Sequence, residues 1–146
     1  LDKPLLSVGT LHSMALGYIS QHPEHIGLIC PMIDARRMEV YAAIFDNKGN
    51  CIRPTSADII TESIYNEWLE TNHISFIGDG ADKTRSLLEN KNNVSFHTDF
   101  KISATGMATI AEELYSKHKF EDIAYFEPFY LKDFVAAKPS VKGLKI

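Results

Sequence analysis

Between Leu28 and Arg53 three apolar runs follow one another with only short polar stretches between them, and that spacing admits little besides an antiparallel meander. Leu28–Ile33 and Met38–Phe45 read as strands on either side of the polar turn Asp34-Ala35-Arg36-Arg37. Asp46-Asn47-Lys48-Gly49 then reads as a hairpin turn, because Asn and Gly accept the left-handed backbone that such turns need. A third strand opens at Asn50, and Pro54 predicts a break in it.

Before the meander the period is helical. Leu11, Met14, Ala15, Tyr18 and Ile19 recur on one helix face, Thr10 is placed to cap it, and Pro23 stops it. Leu5–Val8, ahead of Thr10, reads as a buried strand. The polar stretch from Gln21 to Gly27 is the best candidate for a hinge between two units. After the meander, Thr61 is expected to cap a helix to about Glu70 that buries Ile64, Tyr65, Trp68 and Leu69. Strands follow at His73–Ile77 and Val94–His97, with a short helix at about Asp82–Leu88 between them. Ser103 is expected to cap a last helix, Ala104–Lys117, with Met107, Ile110, Ala111, Leu114 and Tyr115 facing inward. The tail is aromatic as far as Phe134, then basic at Lys138, Lys142 and Lys145. Three meander strands followed by alternating helices and strands predict an α/β fold, a mixed sheet with flanking helices.

Composition closes off several classes of function. With 146 residues, 45% hydrophobic and 23% charged, the chain has the makings of one packed domain and not of a disordered segment. Its longest apolar run, Val40–Phe45, falls far short of the ~20 residues that span a bilayer, so no membrane span is predicted. A net charge of −4, from 15 basic and 19 acidic residues, argues against a dedicated nucleic-acid binder. Two cysteines make no disulfide framework and point to a reducing, cytoplasmic setting. Cys30 and Cys51 are both expected to be reduced and largely buried. No secretory leader is visible, and a chain that opens at Leu1 within a strand reads as a fragment or a processed product.

The motifs for chemistry are sparse. Gly78-Asp79-Gly80 lies where a strand hands over to a helix, either as a tight turn or as a phosphate-like turn whose backbone N–H groups contact a nucleotide. It has neither the Lys-Ser/Thr of a P-loop nor the third glycine of a dinucleotide fingerprint. His22-Pro23-Glu24-His25 sets two imidazoles three apart, but Pro23 keeps them off a shared helix face, and they read as solvent-facing loop residues. His12, His73, His97 and His118 are scattered. No Gly-x-Ser-x-Gly elbow is present. Asp34, Arg36, Arg37 and Glu39 form the densest charged group, either a self-paired exposed turn or a polar edge facing a cleft or a partner. No catalytic set, no metal site and no cofactor follow from these residues.

Four segments taken in order carry a family resemblance: Pro4–Leu11, Ile33-Asp34-Ala35-Arg36-Arg37-x-Glu39-Val40-Tyr41, Gly78-Asp79-Gly80-Ala81 and Glu127-Pro128-x-Tyr130-Leu131-Lys132. Together, over about residues 4 to 138, the chain resembles the TsaB (YeaZ) family, with Lys132 where that family commonly has Arg. The resemblance implies the actin-like ATPase superfold (ribonuclease H-like), built of two related lobes. It divides this chain into the end of the first lobe, residues 1–24, and the second lobe, residues 27–146, whose tail is a candidate to return to the first. About 80 residues of first lobe that precede Pro4 in the family would be missing, an estimate from domain size. The implied role is a non-catalytic scaffold in bacterial tRNA threonylcarbamoyladenosine synthesis. Its partners would be the catalytic paralogue TsaD and the ATPase TsaE, with tRNA met only through the complex and a homodimer as a further possibility. The alternatives are an ATP-dependent sugar or acetate kinase lobe of the same superfold and a glycoprotease-like metallopeptidase. Asp34-Ala35-Arg36 speaks against the first, since side chains stand where phosphate-binding glycines belong. Missing ligands speak against the second.

Overall fold

The computed structural model describes residues 3–132. Helix α1 (Thr10–Gln21) leads into the meander β1 (Leu28–Asp34), β2 (Glu39–Phe45) and β3 (Cys51–Ile59). Then come α2 (Asn66–Leu69), β4 (Ile74–Ile77), α3 (Asp79–Leu88), β5 (Val94–His97) and α4 (Met107–Ser116), the last preceded by a 3-10 turn at Ala104–Gly106. The five strands form one mixed sheet in the order β3-β2-β1-β4-β5. The meander is antiparallel, with Met32 opposite Ala42 and Tyr41 opposite Ala57. β4 and β5 add parallel to β1, with Leu28 opposite Ile74 and Phe76 opposite Phe96. The β1–β2 ladder runs from Ile29–Phe45 to Met32–Ala42, stepping over Pro31, which has no N–H to give.

Alternation along the strands divides the core into two layers. Cys30, Met32, Val40, Ala42, Ile44, Ile74 and Phe76 face the side covered by α2 and α3, where Tyr65, Ala81 and Leu88 complete the packing. Ile29, Ala43, Phe45 and Ile77 face α1, which buries Leu11, Met14, Ala15 and Tyr18 against them. α1 therefore packs directly on the sheet formed by residues 28–97. Both faces are apolar because both are covered, at about 25 cal/mol for each Å² of apolar surface removed from water.

Several expectations need correcting. Leu5–Val8 is not a strand, since among the described residues Leu5 makes only an isolated bridge, to Glu121. Thr10 is already helical, and Gly9 holds the cap position of α1 with no side-chain hydrogen bond. β3 runs through Pro54 to Ile59, because β3 is an edge strand and a missing N–H is tolerated there. Between Ala42–Ser56 and Ile44–Arg53 the register shifts, so the extra residue bulges at Pro54-Thr55.

The expected 61–70 helix is only its last turn. The Ser63 and Thr61 carbonyls accept from the Asn66 and Ile64 N–H groups in i to i+3 turns, which replace the helical ladder while Tyr65 and Leu69 are still buried. α3 starts at Asp79 rather than Asp82, directly after Gly78 at φ +95°. In the last helix the Ser103 side chain accepts from the Thr105 N–H as expected, but only Ile110 is buried, and Met107 and Tyr115 are exposed. The 3-10 turn explains this: Gly106 sits so close to α1 that an added Cβ would lie 2.2 Å from the Ser13 carbonyl oxygen, so the turn rather than α4 makes the contact. Cys30 is buried as expected, but Cys51 is exposed where β3 opens after the hairpin turn. Phe134, Lys138, Lys142 and Lys145, and the tail's return to a first lobe, lie outside the described residues. Among the described residues no helix is long and apolar enough to cross a membrane.

Candidate functional site

A cleft of about 460 Å³ opens beside the amino end of α1. One wall is the segment Ser7–Leu11, the floor takes Ile33 from β1, Tyr41 from β2 and Thr55 from β3, and residues 126–129 close the far side. Each wall has a local cause. Gly9 lets the chain turn into α1 in extended conformation (φ −63°, ψ 127°), and Ser13 returns its N–H to the Gly9 carbonyl at 3.0 Å. The Ser7 hydroxyl donates to the Glu121 carboxylate, and the Glu121 N–H donates to the Leu5 carbonyl at 2.9 Å, so the N-terminal segment is tied to the chain beyond α4. At its other end that later segment is tied to the sheet by the Lys132 ammonium on the Glu39 carboxylate.

The charged group read from the sequence stands at the mouth of the β1–β2 hairpin, and none of its four residues lines the cleft. Asp34 accepts the Arg36 N–H at 2.7 Å, which turns the chain and puts Arg36 and Arg37 at φ 71° and 50° with exposed side chains. That left-handed pair lets four residues reverse the strand, with the Ala35 N–H closing on the Glu39 carbonyl at 3.1 Å. Of the four, Glu39 is used by Lys132 and Asp34 by Lys83, at 2.5 Å. Hydrogen bonding from Lys83, then from the Arg36 N–H, holds the Asp34 carboxyl below its ordinary range.

Gly78, Asp79 and Gly80 come to the same end of the sheet, where the Asp79 carboxylate accepts the Asp34 N–H at 3.2 Å. Packing accounts for both glycines. A Cβ on Gly78 would stand 2.5 Å from the Met32 carbonyl oxygen, and one on Gly80 would stand 2.9 Å from the Met32 Cβ. The first turn of α3 carries Asp79 and Asp82, with Asp79 on the Asp34 N–H and the nearby Lys83 ammonium already held by Asp34, so the helix start presents carboxylates rather than free cations to a phosphate.

Sequence reasoning did not single out Ser7, Tyr41, Thr55 or Phe129 as site residues. The signal was nonetheless present: three of the four segments that carry the family resemblance meet at this cleft. Pro4–Leu11, Ile33–Tyr41 and Glu127–Lys132 supply most of its lining. Its apolar walls carry hydroxyls from Ser7, Thr10, Tyr41 and Thr55 and one carboxylate, Glu127, the mixture of surfaces found in binding clefts. The four histidines read as scattered or loop residues, His22, His25, His73 and His97, instead gather at a second pocket at the opposite end of α1. Among the described residues no three His, Cys, Asp or Glu side chains converge to hold a metal ion. The Cys30 thiol is pushed up to about 12, by burial above all.

The fold is found in solved structures. An uncharacterised protein with similarity to peptidase YeaZ from Pseudomonas aeruginosa superposes with a TM-score of 0.67 at 18% identity, over 90% of this chain and 60% of that one. YeaZ from Pseudomonas aeruginosa superposes with a TM-score of 0.61 at 16% identity, over 89% and 60%. The likeness shows the actin-like, ribonuclease H-like fold, and this chain spans 60% of the length of each of those structures. No protein-family profile matches the sequence, and no curated protein does.

Proposed function

We propose that this chain is a recognition module of the scaffold kind, the non-catalytic TsaB-like subunit of a tRNA threonylcarbamoyladenosine complex. In that reading it binds the catalytic paralogue TsaD and the ATPase TsaE and meets tRNA only through them. The observation that carries the reading is the convergence of separate resemblance segments on one cleft in a YeaZ-like fold. The surface around it supports the reading: Ile123, Tyr125, Phe129 and Tyr130 are each more than two-thirds exposed, the kind of aromatic surface that protein interfaces use.

A kinase lobe of the same fold is disfavoured by the carboxylates of Asp79 and Asp82 in the first turn of α3, which repel a nucleotide's phosphates. Calorimetry decides between the two. Titration of the chain with TsaD is expected to give saturable binding, weakened about tenfold or more by Ile33→Arg, which puts a charge on the cleft floor. Binding of ATP–magnesium in place of TsaD would overturn the scaffold reading.

A further inference from the structure

The second pocket, about 430 Å³, lies where the carboxyl end of α1 meets the β4–β5 end of the sheet. Parallel pairing puts Ser75 beside Ser95 and Ile77 beside His97, so one face of these strands presents His73, Ser75, Ser95 and His97 to α1. Tyr18 is the apolar anchor of α1 here, 2% exposed, and imidazoles surround its ring. Ring centres lie 4.4 Å away for His22, 5.0 Å for His97 and 5.4 Å for His25, and His22 is 5.8 Å from His97. The Tyr18 hydroxyl lies 2.9 Å from His97 Nε2, a bond that either atom donates according to the tautomer. His25 Nε2 is buried with no hydrogen-bond partner.

We propose that this imidazole cluster is a proton-operated latch, which holds the carboxyl end of α1 and the 22–27 loop on the sheet and releases them as the pH falls below neutral. Docking crowds the half-buried imidazoles of His22, His25 and His97 around Tyr18, with His73 at the exposed edge, and each added proton makes that arrangement more repulsive. Burial is the largest cause that holds His25 below the ordinary imidazole range. A backbone hydrogen bond at Leu28 opposes it, while His73 and His22 add to it. Burial leads for His97 too, followed by His22, with Asp99 opposing and His25 and His73 adding.

The other charged groups facing the cluster are Glu24 on the loop and Asp99 and Lys101 after β5. Glu24 sits 3.7 Å from His22, but its side chain is mostly exposed and its attraction is screened. Folded pKa values below the unfolded ones mean that the latch is at full strength above the unfolded imidazole value and is lost as pH falls through the folded ones.

Hydrogen exchange on the intact chain tests the latch. Corrected for intrinsic rates, protection of residues 18–26 is expected to fall roughly tenfold between about pH 7.5 and about pH 5. Trp68 fluorescence, which reports the opposite layer, is expected to hold steady. His97→Gln retains a hydrogen-bonding partner for Tyr18 that cannot be protonated, and His25→Leu removes a buried nitrogen that has no partner. Each is expected to blunt the fall. Equal protection at both pH values in the parent chain, or the same fall in both variants, would overturn the proposal. Should either variant fail to fold, proton NMR titration of the parent decides: His25 and His97 titrating at or above a histidine model peptide would also overturn it.

Discussion

Lys83 Nζ lies 2.5 Å from Asp34 Oδ1, so the amino-terminal half of α3 is tethered to the last residue of β1. The tether reinforces the Asp34 N–H bond to the Asp79 carboxylate, which joins the hairpin mouth to the glycine turn. Because the Asp34 carboxyl is held low, its share of stability is present above the unfolded value and fades as pH falls through the folded one. Replacing Lys83 with Met is expected to raise the Asp34 midpoint toward the ordinary carboxylate range, read by carboxyl-carbon NMR. An unchanged midpoint would assign the effect to the Arg36 N–H alone.

Gly78→Ala is expected to cost about 2–4 kcal/mol, since φ +95° strains any side chain and the new Cβ meets Met32 backbone and the Met14 side chain. Urea unfolding followed by circular dichroism measures it. A loss within experimental error would mean that β1 and α3 separate more easily than their contact suggests.

Asp58 is 6% exposed and accepts from Arg53 Nη2 at 2.5 Å, Ser56 Oγ at 2.7 Å and Tyr65 Oη at 2.7 Å. Asp58→Ala leaves the Arg53 guanidinium half-buried and unpaired, at an expected cost of about 3–5 kcal/mol. Tyr65→Phe gives up one hydrogen bond to a charged group, at about 1–2 kcal/mol. Comparable losses in the two variants would show that the ion pair adds nothing beyond the hydroxyl.

The cysteines are expected to separate cleanly by reactivity. Cys51 is exposed and is expected to react with a disulfide reagent in the native protein. Cys30 is fully buried, with its thiol pushed up to about 12, and is expected to react only after denaturation. Native labelling that includes Cys30 would show that β1 opens far more often than its central place in the sheet implies.

Elements whose signal is local were legible in the sequence. α1 follows from the spacing of Leu11, Met14, Ala15 and Tyr18, and the β2–β3 turn from Asp46, whose carboxylate accepts the Lys48 and Asn50 N–H groups at 2.8 Å. What escaped depends on neighbours. Pro54 breaks a central strand but not an edge strand, and sheet order is not written at Pro54. Met107 and Tyr115 have helical spacing, yet the turn at Gly106 takes the contact with α1. The cleft was legible only in part, because Ser7, Tyr41 and Phe129 meet through folding and not through spacing. The histidine cluster was invisible for the same reason, since β4–β5 pairing and the end of α1 bring its members together.

The sheet's two halves also close chain loops of very different length. β1, β2 and β3 are joined by the turns at 35–38 and 46–50, whereas Leu28 finds Ile74 only after the whole meander and α2 have intervened. Loop closure costs more entropy as the loop lengthens, so the meander is the cheaper structure to form first and the β1–β4 seam the later one. Mutations then divide by rate. Weakening the Asp46 turn is expected to slow refolding in stopped-flow, whereas weakening Phe96 in β5 chiefly speeds unfolding. The half of the sheet that carries the imidazoles is thus the half expected to join last.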